Sequence, residues 1–156
     1  AYAKKFGGIE KAAEILNHVT SVAAQDNITF NMDIAVRANT FLAHRLLSYA
    51  LKQHGANIQI LLKELLMDAY FTNGKNIGDV EVLADCAESA GISRQDALVF
   101  LQGNDLADEV RAEIAEAAEY GVTAVPTFII NGQWSVPGAQ DVEMFERIIE
   151  RILERA

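Results

Sequence analysis

The sequence predicts an α/β chain that is mostly α, with one β-hairpin near its C-terminal end. Three observations carry this. Apolar residues recur at three- and four-residue steps from Ile9 up to Gly121, the period of amphipathic helices. After Gly121 the period changes, and Thr127-Phe128-Ile129-Ile130 is a continuous apolar run. Asn131-Gly132 follows at once, the strongest short hairpin signal, because both turn positions need a positive φ.

The elements follow in order. Ile9, Ala12, Ala13, Leu16, Val19 and Ala23 predict a helix from Ile9 to about Ala24, broken by Asp26-Asn27. Ile28 to Ala38 is irregular. Asn39 reads as the N-cap of a helix running to about His54, since its side-chain oxygen can accept the first free N–H groups, and Gly55 ends that helix. Ile58, Leu61, Leu62, Leu65, Leu66 and Ala69 carry the next, from about Ala56 to Phe71. Its apolar arc is broad, so it is expected to be the most buried helix. Asn73-Gly74 is a loop. Asp79 caps a helix that ends before Gly91. Ser93 with Asp96 resembles a capping box for one ending near Gly103. Asp105 is expected to cap a longer helix, striped by Leu106, Val110, Ile114 and Ala117 and stopped by Gly121. Thr127 to Ile130 predicts a strand buried on both faces. Gln133 to Val136 is the return strand, ended by Pro137-Gly138. Asp141 caps a final helix whose stripe is Val142, Phe145, Ile149, Ile152 and Leu153.

The totals exclude several function classes. The 156 residues suit one domain, or one domain with an insertion, and 51% are hydrophobic, enough for a core. The formal charge is −9, from 22 acidic and 13 basic residues. That argues against nucleic acid as a partner, which needs clustered Lys and Arg. No apolar run approaches the roughly 20 residues that span a bilayer, so no membrane partner is expected. No signal peptide is visible, and the cytoplasm is the expected compartment. The single cysteine, Cys86, permits no internal disulfide. Three histidines and one cysteine lack metal-site spacing, so no metal and no cofactor are expected. Two strands make a poor sheet alone. The run at Thr127 to Ile130 therefore reads as shaped to join further strands.

The segment Gly121-Val-Thr-Ala-Val-Pro-Thr-Phe-Ile-Ile-Asn-Gly132, with Val136-Pro-Gly-Ala-Gln140, resembles the C-terminal half of DsbA-family oxidoreductases of the FrnE-like branch. Asn39-Thr-Phe-Leu-Ala-His-Arg45, Ala69-Tyr-Phe-Thr-Asn-Gly74 and Asp79-Val-Glu-Val-Leu-Ala84 resemble that branch's helical insertion, and Lys5-Phe-Gly-Gly8 the stretch that enters it. The resemblance implies a thioredoxin-like fold of DsbA type, N-terminally truncated. Residues 1–104 would form the helical insertion domain and 105–156 the C-terminal half of the thioredoxin-like domain. It implies a thiol-disulfide oxidoreductase whose Cys-x-x-Cys unit is absent from these residues. There are then no catalytic residues here, and the chain is expected to be inactive alone.

In the family the proline matching Pro126 is cis, and the residue before it, here Val125, offers backbone hydrogen bonds to a bound thiol or disulfide substrate. The simpler reading of Pro126 is a strand-entry proline. By the same resemblance Asn39 and His44 would line the cleft facing the redox centre, although His44 also fits a boundary histidine. The partner is expected to be a thiol or disulfide protein, or a small thiol such as glutathione. A homodimer through the uncovered strand edge is expected too. Cys86 reads as a buried small hydrophobe, Trp134 as core or edge cover, and His18 and His54 as surface residues. The acidic run from Asp105 to Glu119 reads as a solvated helix face. Two alternatives stay open. One is a glutathione-dependent isomerase or transferase of the hydroxychromene-carboxylate isomerase and kappa type. The other is a non-catalytic helical dimerisation or binding module.

Overall fold

A computed structural model of the chain describes residues 7–155. Lys5 and Phe6 of the entry motif lie outside the described residues. The chain forms two compact units, Ala1–Val110 and Arg111–Ala156. Helix α6 (Ala107–Glu119) carries the chain from the first to the second.

The first unit is helical. Helix α1 (Ile9–Gln25) is stopped where Asn27 turns to a φ of 59°. The irregular stretch behind it is stapled by hydrogen bonds. Asn31 N donates to the Phe71 carbonyl at 2.7 Å, Asn31 Nδ2 to the Thr72 carbonyl at 2.7 Å, and Thr72 Oγ1 to the Thr29 carbonyl at 2.8 Å. Helix α2 (Phe41–His54) packs on α3 (Ala56–Met67), and both pack on α4 (Val80–Ser89), which pairs with α5 (Arg94–Gln102). The core runs through all four, with Leu46, Leu62 and Leu83 fully buried.

Four sequence expectations need correction here. Helix α3 stops at Met67, and the chain continues as a five-residue π turn, Asp68–Thr72. The most buried helix is α4, not α3. Leu83, Ala84, Cys86 and Ala87 of α4 are all buried, whereas Ile60, Leu61 and Met67 of α3 are exposed. Small side chains let neighbouring helices close over α4 from several sides; the wide apolar arc of α3 is covered only along one strip. Asp105 is not the cap of α6 (Ala107–Glu119). Leu106 takes a φ of 61° and interrupts the chain before the first turn. Ile114, on the apolar stripe expected of α6, is exposed.

The other caps form as the sequence predicts. Asp79 Oδ1 accepts from Glu81 N at 2.8 Å, and Ser93 Oγ from Asp96 N at 3.4 Å. In the second unit Asp141 Oδ1 accepts from Met144 N at 2.7 Å at the start of α7 (Val142–Leu153). Each satisfies a backbone donor that the helix itself cannot.

The second unit holds β1 (Thr127–Ile130) and β2 (Trp134–Pro137), antiparallel, with Phe128 opposite Val136 and Ile130 opposite Trp134. Asn131 and Gly132 turn the chain with φ of 54° and 68°. The expectation of a strand buried on both faces fails: Phe128 is 41% exposed and β1 has a neighbour on one edge only among the described residues. An apolar run records what a strand can be packed against, and β1 and β2 alone bring too little. The final helix departs from expectation likewise, with Val142, Ile149 and Leu153 of its stripe exposed and Ile152 buried. Phe128 packs edge-on against Phe145 of α7, ring centroids 4.9 Å apart.

Candidate functional site

The loop before β1 is the part of the second unit that the sequence marks most strongly. Helix α6 ends as Gly121, at φ 72°, lets Val122 N reach back to the Ala117 carbonyl at 3.0 Å. The chain then runs to Val125-Pro126, whose peptide bond is cis. Two hydrogen bonds flank this point. Thr127 Oγ1 donates to the Ala124 carbonyl at 2.7 Å, and Gly138 N donates to the Pro126 carbonyl at 2.8 Å. The second extends the β1–β2 pairing by one step and fixes Pro126 at the head of the strand.

Val125 itself is left open. It is 89% exposed, and neither its N–H nor its carbonyl is hydrogen-bonded among the described residues. An exposed N–H and carbonyl beside a strand edge can pair with another extended chain. Chemically the loop offers main-chain recognition and no nucleophile, acid or base.

Asn39 and His44 belong to the first unit. Asn39 Oδ1 accepts from Phe41 N at 3.0 Å, so it satisfies a first-turn donor of α2 from one position further out than expected; Thr40 occupies the cap position. Gly78 explains why the chain is fixed there. A Cβ on Gly78 would lie 2.9 Å from the Asn39 carbonyl oxygen, too close for any side chain. His44 is exposed on α2. Its neighbour Arg45 was missed as an important residue. Arg45 is 2% exposed, and its guanidinium donates to the carbonyls of Asp105 (3.0 Å), Gly103 (2.8 Å) and Phe100 (3.3 Å), beneath the Phe100 ring at 5.1 Å. It closes the C-terminal end of α5. The signal was present: Arg45 lies on the apolar side of α2, beside Leu42, Leu46 and Tyr49, where a lone charge needs fixed partners.

Cys86 is buried in the core of α4, where burial pushes its thiol above the ordinary value of 9.0. A thiol held protonated is a poor nucleophile. Trp134 is half-buried on β2, with the Arg155 guanidinium 5.8 Å from its ring centroid. His18 and His54 are exposed, as is most of the acidic face of α6. Among the described residues no three His, Cys, Asp or Glu side chains are grouped to hold a metal, and no helix is long and apolar enough to cross a membrane.

This succession of elements and its loop have known counterparts. The DSBA-like thioredoxin domain family matches residues 3–150, nearly the whole chain, and the chain belongs to that family. The crystal structure of a probable DsbA oxidoreductase from Streptomyces coelicolor superposes with a TM-score of 0.83 at 27% identity, covering 97% of this chain and 65% of that one. The uncharacterized protein YwbO of Bacillus subtilis is 35% identical over 85 residues, 54% of this chain and 42% of that protein. The chain thus spans less than two thirds of the length of either relative. The fold is the DsbA-like thioredoxin fold, with its helices and one hairpin as described above.

Proposed function

We propose that this chain is the substrate-docking and helical portion of a FrnE-like thiol-disulfide oxidoreductase. The observation that carries the reading is Val125, exposed and with its backbone N–H and carbonyl unpaired at the head of β1, in a chain of the DsbA-like family. A substrate segment flanking a cysteine would lie along it as an added strand, its backbone paired with residue 125. Asn39 and His44 remain part of this proposal as cleft residues; His44 is exposed, while the Asn39 oxygen is already engaged by Phe41 N. Exchange itself needs a reactive thiolate. The one cysteine in these residues is buried with a raised pKa, so the 156-residue chain by itself is inactive in this reading.

Binding of a fluorescent cysteine-containing peptide, followed by anisotropy, tests the docking. Val125→Pro deletes the amide hydrogen and is expected to weaken binding about tenfold, the effect of one lost hydrogen bond, while Val125→Ala keeps it and binds nearly as well. Equal affinity of all three sinks the reading. A second role is proposed on the free edge of β1, with Phe128 exposed beside it: a homodimer paired edge to edge. Sedimentation that finds only monomer at high concentration contradicts it.

A further inference from the structure

Within the second unit, β2 and α7 enclose an open cavity of about 430 Å³. That volume is within the usual range of small-molecule sites, roughly 300–1,000 Å³. Its lining is partly apolar, with Val136, Ile148 and Ile152, and includes Trp134 and the guanidinium-bearing Arg151 and Arg155.

The charge of this cavity runs against the rest of the chain. The protein carries a formal charge of −9, and α7 alone contributes Glu143, Glu146 and Glu150, with Glu154 just beyond it, yet no carboxylate lines the cavity. Arg151 lies in the last turn of α7, and Arg155 follows four residues on, in the turn after the helix; both line the cavity. Neither is ion-paired among the described residues; Arg155 lies over the indole of Trp134. Arginines near a helix C-terminus are ordinary, because they complement the macrodipole. Two of them opening onto an apolar hollow, with every acid of the helix turned elsewhere, match an amphiphilic anion: the arginine forks take a carboxylate in paired hydrogen bonds, and the hollow takes the hydrocarbon.

We propose that this cavity binds a small carboxylate with an apolar body, such as a medium-chain fatty acid, at a site separate from the proposed thiol-substrate loop. No covalent step is involved. The site does not depend on the oxidoreductase reading, because none of its residues belongs to the Val125 loop.

Trp134 is the only tryptophan in the chain, so its fluorescence reports on the cavity directly. The full-length protein is titrated with octanoate and, separately, with the neutral octanol. The expected result is a saturable change with octanoate and binding at least about tenfold weaker with octanol. Arg151→Gln with Arg155→Gln should abolish that preference while leaving the circular dichroism spectrum unchanged. Met144→Trp narrows the cavity without removing a guanidinium. It should weaken both ligands, read by backbone amide shifts of Val136 and Ile152 because the added indole confuses fluorescence. Equal affinity for octanoate and octanol, retention of the preference in the double arginine variant, or no saturable change with octanoate would each overturn the proposal.

Discussion

The two units solve the problem of burying apolar surface to different degrees. In the first, α2 to α5 close on one another, and the core cluster extends from Ala43 to Leu101 without a polar intruder except Arg45, whose Nε and Nη2 donate to backbone carbonyls. In the second, the hairpin and α7 carry apolar residues too, yet Val136 and Ile152 are buried while Phe128, Val142, Ile149 and Leu153 are exposed. A periodic apolar pattern therefore measures demand for packing, and whether the demand is met depends on what else is available to pack. The backbone of Val125 and the arginine-lined hollow are among the surfaces left open in this second unit.

The largest effect that separates the units is a core truncation. Leu83→Ala, at a fully buried site between helices, should cost about 3–4 kcal/mol in urea unfolding. Ile149→Ala, at a site 47% exposed, should cost less than about 1 kcal/mol. Equal costs would mean that the second unit is as tightly packed as the first, and the comparison would fail.

Arg45 sharpens it next. Arg45→Met keeps the apolar stem but leaves the carbonyls of Asp105, Gly103 and Phe100 without their donor, with an expected loss of about 2–3 kcal/mol. Arg45→Lys should recover only part, because an ammonium cannot reach three acceptors in the geometry of a planar fork. Full recovery by lysine would show that charge alone matters there.

The smallest effect concerns Cys86. Its thiol is raised by burial, so the folded state binds that proton more tightly than the unfolded state does. The stabilising difference is complete below the unfolded value, near 9.0, and is lost as pH rises through the folded one. Stability should therefore fall modestly above pH 9.0, and less so in Cys86→Ala, as urea midpoints measured across alkaline pH would show. A variant that loses stability as steeply as the native chain would assign the slope to other groups.

What the sequence made legible was mostly local. Asp79, Ser93 and Asp141 cap because a short polar side chain reaches a free amide two or three residues on, and Asn131-Gly132 turns because both positions tolerate positive φ. Such interactions need no knowledge of the rest of the fold. The misses were set by tertiary structure. The π turn at Asp68–Thr72 leaves an apolar spacing too close to α-helical to be told apart. Asp105 looked like a cap until the positive φ of Leu106 intervened. Arg45 was passed over because the carbonyls it satisfies lie some 55 to 60 positions away. At the candidate site, the loop at Val125-Pro126 stood out through its family resemblance, whereas the gathering of Arg151, Arg155 and Trp134 around one cavity depends on β2 meeting α7, which no local pattern encodes.

Residue-resolved amide exchange, in the absence and presence of a cysteine-containing peptide, decides whether the Val125 backbone is a docking strand. The Val125 amide is expected to exchange rapidly in the free protein and to slow at least about tenfold when the peptide docks, while the Leu83 and Cys86 amides in α4 stay protected throughout. A Val125 amide already protected, or one whose rate is unchanged at saturating peptide, would contradict it.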